Sequence, residues 1–440
     1  MKTNFIFTSL GVLAIFASMC SASTVSQSKN IQICKKLSDY SSLNYLYSIG
    51  QKLLDYTAFQ KYEKLNEADV RGIRDLSSRL LAHGIRLVLV PVPDSAMLYT
   101  NVIGNPFPQN YDPKVATQAY NDWIQGANSA GLTVVDVTKI VTSLAAKGIA
   151  YFPNYDHHWS GKASNETASA TAKSIESLRL KLDRTPDIKI NVENKPFKGS
   201  YAKLLEKECG TTALLPETRD FYSIKIKSQA SLLTTTYPDV VVVADSFSDP
   251  QYSFVQSLSY YLKNNVQDQG VGGGGPVSSI ANFLNNMDSK HPPKVLVWIG
   301  RDLTLSESTT RELIPSLEQN FSIGKAVFSK TIPFPIVNNT DVEKDPIIPV
   351  DLKLDRNLKY RVEITTKGPK VDQMLFRANL SDRNIERFFI RVPQNIVPFW
   401  KIKFSYDISG SDGIKTLSIG PRYVTTLPKD SSVDIRIFPY

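Results

Sequence analysis

Apolar positions along the chain follow two different rhythms. Between about residues 67 and 330, apolar side chains at helical spacing alternate with short, continuous apolar runs. Ile73, Leu76 and Leu80 recur at three- and four-residue intervals and predict a helix over about 67–83. Asn66 offers an N-cap with Asp69 three residues on, and Gly84 stops the helix. The run Ile85 to Pro93 then reads as a buried strand leading into a loop. Asp112-Pro113 opens a second helix, on which Val115, Ala119 and Trp123 are expected to share the inward face, with Gly131 at its end. Leu132 to Val137 is the next expected strand. Val240 to Val243 is the most β-branched run and is expected to be central, and Val295 to Ile299 follows. Residues 38–62, rich in Leu, Tyr and Lys, read as a helical or irregular lead-in. Strands separated by helices predict an α/β layer with a parallel sheet and helices on both faces. Ligands of such layers sit beyond the carboxyl ends of the strands.

After about residue 330 the rhythm shortens to two. Tyr360, Val362 and Ile364 alternate with polar residues, as do Ile402, Phe404 and Tyr406, and Val433, Ile435 and Ile437. Alternation in short segments separated by Gly, Pro, Asn and Asp predicts an antiparallel, all-β sandwich. The expected boundaries give a domain over 23–335 and a sandwich over 336–440.

The N-terminus adds a third kind of segment. Lys2 precedes an apolar run from Phe5 to Ala17, and the small residues Ser21 and Ala22 follow, which is the pattern of a secretory signal peptide over 1–22. Cleavage after Ala22 removes Cys20; an uncleaved anchor, or lipidation at Cys20, is the alternative. Of three cysteines, Cys34 and Cys209 then remain in an oxidising compartment, either as a disulfide or as two separately buried thiols. No other apolar run is long enough to span a membrane.

Composition narrows the chemistry. With 440 residues and 42% hydrophobic content the chain can bury more than one core, which excludes wholesale disorder. The net charge is +9, and residues 330–440 hold 18 basic against 13 acidic residues, without histidine or cysteine. Metal or thiol chemistry is therefore not expected in the sandwich. A basic chain suggests nucleic acid as a partner, but the leader pattern and the absence of a dense Arg/Lys run argue against it.

Two loops concentrate reactive groups. Asp156-His157-His158-Trp159-Ser160 holds two of the four histidines, and Ala244-Asp245-Ser246-Phe247-Ser248 directly follows the Val240–Val243 strand. A serine at a strand-to-helix turn can serve as nucleophile, a histidine can take its proton, and a carboxylate can set that histidine's tautomer. Asp156 and His158, one residue apart, can point the same way from an extended loop, which turns His157 elsewhere. The alternative for Ser246 is a turn or cap residue. A metal site would need a distant recruit, since His83 lies at a helix end and His291 precedes two prolines, so neither a metal nor a cofactor is expected.

Leu89-Val90-Pro91-Val92-Pro93, the Asp-His-His-Trp-Ser motif and the Asp-Ser-Phe-Ser motif together resemble the SGNH hydrolase-like family of periplasmic alginate O-acetyltransferases. The likeness is greatest to its two-domain members, which add a C-terminal carbohydrate-binding module. The resemblance implies a catalytic set of Asp156, His158 and Ser246, and a disulfide between Cys34 and Cys209. It also implies a cleft shaped by the Gly-rich segment around Gly273 and Gly274, and a basic cleft residue at Arg301. The alternatives are a surface turn and a surface charge. Trp400 and Tyr406 are candidates for sugar contact in the module, or else core residues. Ala244-Asp245 departs from the small residue usual before the family's serine. The implied activity is periplasmic transfer of acetyl groups to hydroxyls of an anionic exopolysaccharide. The implied partners are membrane and periplasmic proteins that deliver the acetyl donor, and export-complex proteins. A secreted polysaccharide acetylesterase and a non-catalytic polymer-binding scaffold are the competing readings.

Overall fold

The computed structural model describes residues 46–49, 52–59, 67–98, 111–185, 187–209, 217–226, 237–273, 275–301, 303, 307–321, 324–333, 347–367, 371–389, 401–424 and 431–440. The signal-peptide segment, Asn66, Gly274 and Trp400 lie outside them. So does the Cys34–Cys209 pairing, since Cys34 is not described, and no disulfide is found among the described residues.

The chain opens with a hairpin, β1 (Leu46–Ile49) and β2 (Lys52–Asp55), where a helical lead-in was expected. Then come α1 (Glu67–Ala82), β3 (Arg86–Pro91), α2 (Pro113–Ser129), β4 (Thr133–Val134), α3 (Val137–Ala146) and α4 (Gly161–Ser177). A second hairpin, β5 (Ile188–Phe197) and β6 (Glu217–Ile226), flanks α5 (Ser200–Cys209). The layer continues with β7 (Val240–Val243), α6 (Phe254–Leu262), β8 (Gln267–Asp268), α7 (Gly275–Asn286), β9 (Val295–Gly300) and α8 (Glu307–Glu318).

Five parallel strands form one sheet in the order β4-β3-β9-β7-β8. Strand β7 is central as expected, buried along its length and paired with β9 on one side and β8 on the other. Strand pleating sends alternate residues to opposite faces. Leu87, Leu89, Val241, Val243, Leu296 and Trp298 pack with α1, α2, α7 and α8 on one side. Val88, Val90, Val240, Val242, Val295 and Val297 pack with α3, α4 and α6 on the other. This two-sided burial is why these strands read as continuous apolar runs.

Helix α2 is capped as expected, with Asp112 Oδ1 accepting from Lys114 N at 2.8 Å. Trp123 faces inward as expected, but its companions on the buried face are Ala116, Tyr120, Ile124 and Ala127, and Val115 is 54% exposed. On that face Tyr120 donates its hydroxyl to the carbonyl of Pro91 at 2.6 Å.

The C-terminal strands are β10 (Phe328–Pro333), β11 (Ile347–Lys353), β12 (Tyr360–Lys367), β13 (Val371–Leu380), β14 (Asn384–Phe389), β15 (Lys401–Asp407), β16 (Gly413–Val424) and β17 (Ser432–Pro439). They form two four-stranded antiparallel sheets, β10-β17-β12-β15 and β11-β16-β13-β14. Val362, Ile364, Phe404, Tyr406, Val433, Ile435 and Ile437, the alternating set, lie in the core between them. Tyr406 is 4% exposed, which removes it from sugar contact; its place in the pleat points it inward. Strand β10, on the N-terminal side of residue 335, pairs along its length with β17 and so belongs to the sandwich sheets. Helix α8 packs on β15, and Ser405 Oγ donates to Gln319 Oε1 at 2.8 Å across that contact.

Candidate active site

The segment between α3 and α4 is irregular and held at both ends. Ser160 N donates to the carbonyl of Tyr151 at 2.7 Å, and Ser160 Oγ caps α4 by accepting from Ala163 N at 3.2 Å. Trp159 is sealed against Phe254 and Phe247, with ring centroids 5.2 and 5.1 Å away. With both ends anchored, Asp156 and His158 are presented beneath the carboxyl end of β7.

There the structure brings Asp156, His158 and Ser246 together. His158 Nδ1 lies 2.7 Å from Asp156 Oδ1, and His158 Nε2 lies 2.6 Å from Ser246 Oγ. The His158 backbone N–H also donates to Asp156 Oδ1, at 3.0 Å. An ionised carboxylate only accepts, so Nδ1 carries the imidazole proton and Nε2 accepts from the serine hydroxyl. Burial alone would raise the Asp156 carboxyl, but the hydrogen bonds and charge of His158, with Arg219 beyond, outweigh it and bring it down to about 2. Ser246 begins a single 3₁₀ turn, Ser246–Ser248, for which Asp245 is the N-cap. Asp245 Oδ1 takes the Phe247 N–H at 3.1 Å, so that amide is not open to an oxyanion.

His157, expected to point elsewhere, instead stays beside the pair, its ring centroid 3.8 Å from that of His158 and its Nδ1 3.9 Å from Asp156 Oδ1, where it joins a polar network. Ser200 Oγ donates to Asp156 Oδ1 at 3.1 Å and lies 2.9 Å from His157 Nδ1. The serine proton is committed to the carboxylate, so His157 Nδ1–H donates to Ser200. Burial, and then the charges of His158 and Arg301, push His157 down to about 3, which keeps it neutral at ordinary pH. Asp156, His157 and His158 also lie close enough to share a cation, with ligand atoms within 4.8 Å of one another. As arranged, however, both nitrogens of His158 are already engaged.

Arg301 follows β9 and is half-buried at the edge of this cluster, its guanidinium carbon 5.9 Å from the Phe247 ring centroid. The Gly-rich segment is drawn to the serine turn by Val271 N, which donates to the carbonyl of Ala244 at 2.8 Å. Gly273 has φ +74°, a conformation that favours glycine. Sequence patterning missed Ser200, Arg219 and Tyr252, which reach the site only through tertiary packing. Gly199 was a signal within reach: a Cβ there would stand 2.1 Å from the carbonyl oxygen of Tyr155.

A two-faced parallel sheet with an Asp–His–Ser chain at a strand's carboxyl end defines the class as an SGNH hydrolase-like domain, and this fold and cluster support enzymatic activity. Residues 55–299, more than half the chain, match the family described as SGNH hydrolase-like domain, acetyltransferase AlgX, and the chain belongs to that family. It is 21% identical over 315 residues to the alginate biosynthesis protein AlgX of Pseudomonas aeruginosa, covering 69% of this chain and 64% of the relative. It is 27% identical over 244 residues to the probable alginate O-acetylase AlgJ of Pseudomonas putida, covering 53% of this chain and 61% of the relative. The chain thus spans less than two thirds of each. The solved structure of Pseudomonas aeruginosa AlgX superposes with a TM-score of 0.69 at 19% identity, over 91% of this chain and 97% of that one, a likeness of fold.

Proposed function

We propose that this chain is a periplasmic O-acetyltransferase that moves acetyl groups onto hydroxyls of an anionic, alginate-like polysaccharide. The observation that carries the reading is the hydrogen-bond chain from Asp156 through His158 to Ser246, at 2.7 and 2.6 Å, in a member of this family. Ser246 Oγ attacks the carbonyl carbon of the acetyl donor while His158 Nε2 takes the hydroxyl proton. The oxyanion that forms is held by backbone N–H groups other than that of Phe247. Its collapse breaks the bond to the donor's leaving group, which takes the proton from His158, and leaves an acetyl ester on Ser246. A sugar hydroxyl then attacks that ester, losing its proton to His158, and collapse of the second oxyanion breaks the ester bond to Ser246, whose Oγ takes that proton back from His158. Asp156 holds the imidazole in the tautomer this sequence needs and stabilises its protonated form.

The names of the relatives, an alginate biosynthesis protein and a probable alginate O-acetylase, support the choice of polymer. So does the excess of basic over acidic residues in 330–440. The leader pattern at residues 1–22 supports export to the periplasm, where other acetylation and export proteins would supply donor and polymer. Labelled acetyl donor offered with oligomannuronate tests the reading: label should appear on the oligosaccharide with the parent protein and not with Ser246→Ala. Abundant free acetate without acetylated oligosaccharide would make the protein an esterase. Equal turnover by parent and variant would leave it a scaffold.

A further inference from the structure

We propose that Arg219, on the β5–β6 hairpin, is a positioning residue for the Asp156–His158 pair, holding it by charge, by ring stacking and by a backbone anchor. This rests on the proposed role of those two residues. Arg219 is 4% exposed. Its Nη2 donates to the carbonyl of Trp159 at 2.8 Å, which anchors the residue immediately after His158. Its guanidinium packs in the corner of two aromatic rings set 68° apart, 3.8 Å from the Phe197 centroid and 4.9 Å from that of Tyr252. Tyr252 in turn stacks on the His158 imidazole, with centroids 4.1 Å apart and planes 22° from parallel.

The carboxylate supplies the third link. Asp156 Oδ1 is crowded, accepting from His158 N, His158 Nδ1 and Ser200 Oγ. Asp156 Oδ2 is sealed from solvent and accepts no hydrogen bond from the protein. Arg219 Nη2 stands 3.9 Å from it, beyond hydrogen-bond reach but well within reach of charge. The contacts of Arg219 run to Asp156, Trp159 and Tyr252, and it acts through them.

The hairpin is seated closely enough to make this register obligatory. A Cβ on Gly161, at the start of α4, would lie 1.8 Å from the carbonyl oxygen of Asp220, the residue after Arg219. Tyr222 N donates to Ser253 Oγ at 3.0 Å, tying the same strand to the start of α6.

Other ionisable groups face the pair and its arginine: Glu217 acts on Arg219 itself, and Asp55 acts on His157. His157 and Tyr252 flank the pair, Asp245 and Asp249 act on His158 through space, and Arg301 acts on His157 and Asp245. Arg219 is the cation facing Asp156 from behind. Loss of that charge leaves the pair more negative, so the imidazole keeps its proton to higher pH.

The test uses the full chain, with 4-nitrophenyl acetate as substrate and oligomannuronate as acceptor. In Arg219→Gln, kcat should fall roughly tenfold or more, and the acid limb of kcat/KM should move up by about one pH unit. The downfield proton signal of the His158–Asp156 hydrogen bond should shift in the same variant. Arg219→Lys keeps the charge without the planar stack, so it should lose rate while its acid limb stays in place. A folded Arg219→Gln with parental activity, or with reduced activity but an unmoved limb and proton signal, would overturn the proposal. If Arg219→Gln does not fold, Arg219→Lys decides: an unmoved limb supports the charge role and a shifted limb overturns it. Ser246→Ala runs alongside. Should it remain as active as the parent, the catalytic reading fails; should it be inactive while Arg219→Gln leaves the limb unmoved, only the role of Arg219 fails.

Discussion

Among the described residues two arginines are sealed from solvent, Arg219 and Arg361, and they are held differently. Arg361, on β12 of the sandwich, is 1% exposed and bonds directly to its carboxylate, Nε to Glu363 Oε1 at 2.8 Å. It lies near the rings of Phe438 and Tyr440, at 4.9 and 5.6 Å, and close to no reactive group described above. Arg219 is equally buried and equally framed by aromatics, but its carboxylate stands 3.9 Å away and gives its hydrogen-bonding capacity to a histidine and a serine. A directly bonded pair neutralises itself and serves packing. A separated pair leaves the carboxylate free to orient a second partner. The same residue type thus acts as a strut in one layer and as a source of field in the other.

The largest expected effect falls on the carboxylate that the α/β layer leaves free. Asp156→Asn keeps the shape but presents the wrong partner to His158 Nδ1–H, and kcat should drop by roughly 10³- to 10⁴-fold. The urea midpoint should move far less than activity does, and steady-state kinetics beside a denaturation curve read both. A parental rate would break the contrast between the two arginines at its root. Arg361→Met should do the reverse. It leaves Glu363 unpaired and costs about 3 kcal/mol of stability, read from the urea midpoint, while kcat of the folded fraction stays parental.

The next effect concerns acid. His157 is held down to about 3, against about 6.5 for an unperturbed imidazole. Between those values the unfolded chain takes a proton that the folded chain refuses, so lowering the pH through this window destabilises the fold. The slope from this one group approaches about 1.4 kcal/mol per pH unit. Asp156, lowered to about 2, adds a loss only below about pH 4, as acid protonates the unfolded carboxyl first. His157→Gln should therefore flatten the stability curve between pH 4 and 6 and leave its far-acid end steep. Urea midpoints across that range check it, and an unchanged slope would show that His157 titrates normally.

What could be read in the chain divides along the same line as the two arginines. The core strands were legible because both faces of the parallel sheet are buried, which writes continuous runs such as Val240 to Val243. The sandwich was legible because one face is buried, which writes alternation. Asp156 and His158 stood out because they are near neighbours in sequence, and Ser246 because it follows a buried strand. Ser200 and Arg219 were invisible: Arg219 reaches Trp159 across 60 residues of chain, and nothing local marks such a contact. The lead-in at 46–55 read as helix because its Leu and Tyr spacing does not distinguish a helix from a short hairpin. Tyr406, which the sequence left open between a sugar contact and the core, lies in the core, as its alternation with Phe404 allowed.

The smallest expected effect tests how finely a helical phase can be read. The apolar stripe of α2 was placed on Val115, one position before the buried Ala116. The two neighbours sit in opposite environments: Val115 projects into solvent, while Ala116 is fully enclosed beside α2's other core residues, Tyr120 and Trp123. Val115→Ser should change stability by no more than about 0.5 kcal/mol. Ala116→Val adds two methyl groups to a closed space and should cost about 1–3 kcal/mol. The comparison needs only two urea denaturation curves. Equal effects at both positions would mean that α2 is rotated from the orientation described, and with it the Tyr120 hydroxyl that reaches the end of β3.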